Sequence, residues 1–208
     1  MVELVLYTHP YSRGRVVRWM LEELGVDYAV EVKEFGGSIK HPDYLAINPM
    51  GKVPAIVHGD AVVTEVGAIC TYLADRFPAQ GLAPALDDPL RGAYLRWMFF
   101  MVGPFEMATS SIAYGWKIDA DNAPALSCGF PDNTIEALAS ALQRGPYICG
   151  EQFTAADVLI SSYIGWEIMQ KHLPERPIFV DYVQRMEARP AAQRANELDD
   201  ALVATISA

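Results

Sequence analysis

Between Pro78 and Pro89 the chain reads PAQGLAPALDDP, a stretch too dense in prolines and turn formers to lie inside a helix or strand. The hydrophobic period differs on its two sides. Ahead of it, apolar residues run in short blocks broken by turn residues. Behind it, they recur at spacings of three and four. That division predicts an α/β domain over residues 1–78, a linker over 79–88 and an all-helical domain over 89–208.

In the first segment, ELVLY reads as a buried strand. Val16, Trp19, Met20 and Leu24 then fall at helical spacing before Gly25, a residue suited to a left-handed helix cap. DYAVEV supplies a second strand. AIVHGDAVV joins two apolar runs through Gly59 and Asp60, a hairpin dipeptide. Val66, Ile69, Cys70, Leu73 and Phe77 line one face of a helix that Pro78 ends. The predicted order is strand, helix, strand, short helix or loop, hairpin, helix.

Beyond the linker, RGAYLRWMFF, TIEALASALQR, ADVLISSYIGWEIMQ, IFVDYVQRMEA and the tail after Pro190 all read as helices. From Ala155 to Met169 nearly every face is apolar, which predicts a helix enclosed by others. Thr154 and Asp157 have capping-box spacing at its start, and Phe153 is placed to pack on Val158.

The formal net charge of −10 disfavours nucleic acid, whose phosphates are bound by clustered cations, and disfavours anionic membranes. Up to Lys52, however, six Lys or Arg stand against seven Asp or Glu, so the first segment is locally hospitable to anions. WMFFMVGPF, bracketed by Arg96 and Glu106, falls well short of the roughly 18 apolar residues of a membrane helix. Met1, Val2 and Glu3 lack a basic leader start. Cys70, Cys128 and Cys149 form neither a disulfide framework nor a zinc pattern, and the expected location is the cytoplasm.

Four strings in order, SRGRVVRWMLEELG, NPMGKVPAI, TEVGAICTYLADRFP and FTAADV, resemble the glutathione transferases across essentially the whole chain. The resemblance implies a thioredoxin-like N-terminal domain followed by a helical domain, with glutathione as co-substrate and no other cofactor or metal. It implies a small apolar electrophile as second substrate, a homodimer, and a cis bond between Val53 and Pro54. In that setting the backbone of Val53 pairs with the cysteinyl residue of glutathione as an added strand. Glu65 and Val66, at a helix amino end, take the γ-glutamyl carboxylate. The family's usual serine hydroxyl after the acidic residue is missing, because Val66 stands there. Lys40 and Lys52 are placed for the glycyl carboxylate, and read equally well as solvated lysines.

Only a thiolate attacks electrophiles well, so a site of this kind must lower the thiol pKa. No cysteine precedes Cys70, which disfavours mixed-disulfide chemistry through the protein. The hydroxyl donors in YTHPYSRGR are Tyr7, Thr8, Tyr11 and Ser12. Ser12, beside Arg13, resembles the serine-type classes and is equally a helix cap. Tyr7 falls in the register of the tyrosine-type classes and is equally a packing aromatic. Tyr11, Trp97, Met101 and Tyr114 are candidates for an apolar co-substrate pocket, or for core packing. Transfer to an electrophile is the expected activity, with peroxide reduction or elimination open to the same site; a binding or regulatory protein of little turnover is the alternative.

Overall fold

The computed structural model describes residues 3–206 and divides the chain into two units, Met1–Gly81 with Ala188–Ala208, and Leu82–Glu187. The first holds strands β1 (Leu4–Thr8), β2 (Ala29–Val32), β3 (Ala55–His58) and β4 (Ala61–Thr64). They form one sheet in the order β2-β1-β3-β4, with β1 parallel to β2 and antiparallel to β3, and β3 antiparallel to β4. This is the thioredoxin-like arrangement that the resemblance implies. Helices α1 (Gly14–Leu24), α2 (Pro42–Leu45) and α3 (Val66–Arg76) complete the segment, with a 3-10 turn over Ser38–Lys40.

Local chemistry explains the boundaries. Gly25 ends α1 in the left-handed conformation at φ 63°, its N–H on the Leu21 carbonyl. Gly59, at φ 57°, turns the β3–β4 hairpin. Alternation along β1 buries Leu4, Leu6 and Thr8, whereas Tyr7 points to the opposite face and packs with Ile39, Tyr44 and Ala55. Helices α1 and α3 pack on each other and on the strands.

The last helix, α9 (Pro190–Ile206), belongs with this first unit and lies along α1. Two consecutive carboxylates join the helices. Asp199 is buried and accepts from Arg18 Nε at 2.8 Å, and Asp200 accepts from Arg15 Nη2 at 2.6 Å. Just ahead of α9, Arg189 holds Glu23 through two nitrogens, at 2.6 and 2.7 Å. The linear pattern of the tail shows its helix but not its partner, which these ion pairs select.

The second unit is helical. It contains α4 (Arg91–Phe100), a π-helical turn over Met101–Phe105, α5 (Glu106–Ala113), α6 (Pro131–Leu142), α7 (Ala155–Met169) and α8 (Pro177–Glu187). The π turn falls at Pro104, which has no N–H to continue the α ladder. Helix α7 is buried on most of its surface, as its all-round apolar sequence predicts. Its capping box forms, and the Asp157 carboxylate also accepts from the Ile148 N–H and the Tyr182 hydroxyl. Among the described residues, no helix is long and apolar enough to cross a membrane.

Candidate functional site

The sheet register gathers the sequence-selected residues at one end. Ala55 pairs with Tyr7 on one side and with Thr64 on the other. Neighbouring strands lie about 4.8 Å apart. The chain leaving β1 after Thr8, the chain entering β3 through Val53 and Pro54, and the chain leaving β4 into Glu65 therefore converge. Thr8 pairs with Val32, so Lys33 joins the same end, its N–H on the Thr8 carbonyl at 2.8 Å.

The β1–α1 turn is densely hydrogen-bonded. Ser12 Oγ donates to the His9 carbonyl at 2.7 Å and accepts from the Gly14 N–H at 2.9 Å. The Tyr11 N–H donates to His9 Nδ1, which places the proton of the neutral ring on Nε2. His9 is buried against Phe35, with ring centres 4.1 Å apart. Burial lowers its pKa below 6.5, against the opposing pull of the Glu34 carboxylate. Gly14 is required by close approach, since a Cβ there would lie 1.8 Å from Thr8 Oγ1.

Tyr7 sits beneath this turn, its ring 5.6 Å from that of Tyr44 and 5.2 Å from Lys33 Nζ. Among the described residues its hydroxyl has no hydrogen-bond partner. Tyr11 and Arg13 are exposed beside Ser12.

The loop before β3 is built to hold its backbone still. Tyr44 Oη and Asn48 Nδ2 both donate to the Lys52 carbonyl, and Asn48 Oδ1 accepts from the Met50 N–H. Lys40 Nζ donates to the carbonyls of Met50 and Gly51 at 3.2 and 3.1 Å. Lys40 thus has a structural role as a loop clasp, while the Lys52 side chain stays exposed. The Val53–Pro54 peptide bond is cis. Among the described residues, neither the N–H nor the C=O of Val53 has a hydrogen-bond partner.

Glu65 precedes α3 with φ 67° and ψ 121°, a left-handed conformation unusual for a side chain other than glycine. Holding it there costs about 1–3 kcal/mol, and such strain concentrates at ligand-binding positions. The first N–H pairing to Glu65 is that of Ile69, so the N–H groups of Val66, Gly67 and Ala68 remain as donors at the positive end of the helix. Val66 itself turns its side chain inward and is 7% exposed.

The residues expected to contact an apolar co-substrate are placed differently. Trp97 and Met101 are buried in the core of the helical unit, whereas Tyr114 is exposed and stacks on Trp116. Tyr11 is 55% exposed at its turn. The free thiols are all buried. Loss of solvation pushes Cys70 up to about 12 and Cys149 up to about 11, and raises Cys128. Among the described residues, no group of three or more metal-ligating side chains comes together.

Lys33 is the site-end residue that sequence reasoning passes over. Its signal was the end of the DYAVEV strand, but only parallel pairing with β1 shows where that strand ends.

Comparison with known proteins bears on the family and the fold. Residues 2–75 match the family model "Glutathione S-transferase, N-terminal domain". Glutathione S-transferase 3 of Zea mays is 32% identical over 76% of this chain and 75% of its own. The disulfide-bond oxidoreductase YfcG of Escherichia coli is 27% identical over 91% of this chain and 93% of its own. Among solved structures, a glutathione transferase homologue from Sulfitobacter with bound glutathione is 27% identical, with a TM-score of 0.74 over 95% of this chain and 98% of its own.

Proposed function

We propose, on the premise that this chain belongs to the glutathione transferase family, that it binds glutathione at the Tyr7–Ala55–Thr64 end of its sheet and activates the thiol for attack on an apolar electrophile. The observation that carries the reading is the single register row on which the β1–α1 turn, Val53 and the start of α3 all converge.

Each part has a physical role. The unpartnered N–H and C=O of Val53 take the cysteinyl residue of the tripeptide as an antiparallel strand. The Val66 N–H, at the positive tip of α3, takes the γ-glutamyl carboxylate, and the Glu65 carboxylate faces the α-ammonium. Lys52 serves the glycyl carboxylate, joined by the one ammonium hydrogen of Lys40 that its two loop contacts leave over. The sulfur then falls at the β1–α1 turn, where Ser12 or Tyr7 donates to the thiolate and the Arg13 cation favours it. Tyr11 offers exposed aromatic surface to the co-substrate.

The thiol gives up its proton to solvent and the thiolate pair forms a carbon–sulfur bond. The leaving group departs with the electrons of the bond that breaks, giving a thioether. A chlorinated dinitrobenzene tests this: thioether and chloride should form faster with the protein than in buffer. Turnover equal to buffer, with glutathione still bound by calorimetry, would favour a second reading. That reading, a binding or regulatory protein, is supported by Val66 lacking a hydroxyl and by the Ser12 hydroxyl already facing His9. The same family reading proposes a homodimer working in the cytoplasm, the dimer to be tested by light scattering.

A further inference from the structure

The geometry points to Arg15 as a positioning residue for the thiol-activating turn, aimed by Asp200 of the C-terminal helix; this rests on the reading that the β1–α1 turn meets the glutathione sulfur. Arg15 lies in the first turn of α1. Its Nε donates to the Pro10 carbonyl at 2.7 Å, its backbone N–H to the Ser12 carbonyl at 3.3 Å, and its Nη2 to Asp200 Oδ1 at 2.6 Å.

A guanidinium is a rigid planar fork, so a carboxylate oxygen held at one of its nitrogens restricts the direction of its other donors. Asp200 thereby sets the plane of Arg15, and Arg15 sets the Pro10 carbonyl. The same peptide unit is held from its other end, because the Tyr11 N–H donates to His9 Nδ1 at 3.2 Å. The Pro10–Tyr11 peptide plane is pinned on both sides, immediately before Ser12.

An exposed ion pair adds little to stability by itself, and Asp200 is largely exposed. What makes this pair dependable is its neighbour. Asp199 is buried and bound to the equally buried Arg18, three residues beyond Arg15 on α1. That contact fixes how α9 lies on α1 and delivers the next residue, Asp200, opposite Arg15. The tail of the chain therefore reaches the turn near its start without touching ligand.

A charge-only role for Arg15 makes the opposite prediction. Removing the Asp200 charge would leave an unopposed cation, and the thiol pKa would fall. A positioning role predicts that it rises, because the turn loosens. The test is ultraviolet titration of the bound glutathione thiolate on the full chain, with steady-state kinetics, for Asp200→Asn, Arg15→Gln and Arg15→Lys. Expected is an upward shift of about half a unit or more and a kcat about three- to tenfold lower in all three, with the KM for glutathione and the melting temperature nearly kept. Arg15→Lys keeps the charge but not the fork, so it should not rescue. Titration unchanged from wild type, a downward shift in Asp200→Asn, or rescue by Arg15→Lys would each overturn the proposal. Melting loss in Asp200→Asn accompanied by lost glutathione binding would do the same, by making the contact merely structural. If wild type itself holds no thiolate beyond the buffer value, the underlying reading fails, an outcome distinct from normal wild-type titration with indifferent variants.

Discussion

The hydroxyl of Ser12 donates to the carbonyl oxygen of His9 across 2.7 Å. A hydroxyl has one hydrogen, so Ser12 stabilises a thiolate only by turning away from His9 when glutathione arrives. Tyr7, with its hydroxyl unpartnered among the described residues, needs no such exchange. We expect Ser12→Ala or Tyr7→Phe to lower kcat at least about tenfold with the glutathione KM nearly unchanged, the pattern of a contact made in the transition state. Wild-type turnover in both variants would remove both residues from the chemistry.

Val66 supplies a backbone donor to the proposed carboxylate site but no hydroxyl. A hydrogen bond to a charged group contributes about 1.5–3 kcal/mol, which corresponds to about tenfold or more in affinity. Val66→Ser should therefore tighten glutathione binding by about tenfold, measured by calorimetry. The inward-facing side chain of Val66 sets the opposing condition. A serine hydroxyl that stays buried leaves affinity unchanged and lowers the melting temperature, and that result would reject the assignment.

Glu65 should show opposite effects on fold and ligand. Glycine adopts φ 67° without steric cost, so Glu65→Gly relieves backbone strain of about 1–3 kcal/mol, offset by the greater freedom of glycine in the unfolded chain. The expected outcome is unchanged or higher resistance to urea with clearly weaker glutathione binding. Equal loss of both would mean that the residue supports the fold and not the ligand.

His9 predicts a pH effect. Its folded pKa lies below the ordinary 6.5, so the unfolded chain gains a proton at a pH where the folded ring remains neutral. Its contribution to stability is full above pH 6.5 and is lost as pH falls through that value toward the lowered folded one. The urea midpoint should drop with acidification in this window more in wild type than in His9→Gln. An imidazole resonance of His9 titrating at or above 6.5 would contradict this.

The strands and helices from Leu4 to Arg76 were legible in the sequence because each signal there was local. The apolar run of ELVLY, Gly25 after a helical face and the Gly59–Asp60 hairpin each act within a few residues, and strand, cap and hairpin each appear as expected. Ala155–Met169 was legible for the same reason, by its uninterrupted apolar character. What could not be read were contacts between distant segments. The placement of α9 on α1 depends on Asp199 meeting Arg18, and the clasp of Lys40 on the Met50 and Gly51 carbonyls depends on how a loop closes. The commitment of the Ser12 hydroxyl to His9 is short-range, yet serine has several acceptors within reach in any turn, and spacing does not choose among them.

The burial of Cys70, Cys128 and Cys149 gives the folded molecule an unusually quiet background for sulfur spectroscopy. In the native state a disulfide-exchange dye should find no accessible sulfhydryl, and colour should develop only as denaturant exposes the interior. A reporter cysteine installed on the surface could then be labelled selectively. Oxidised or alkylated adducts arising during turnover could be traced to the added tripeptide and not to the polypeptide.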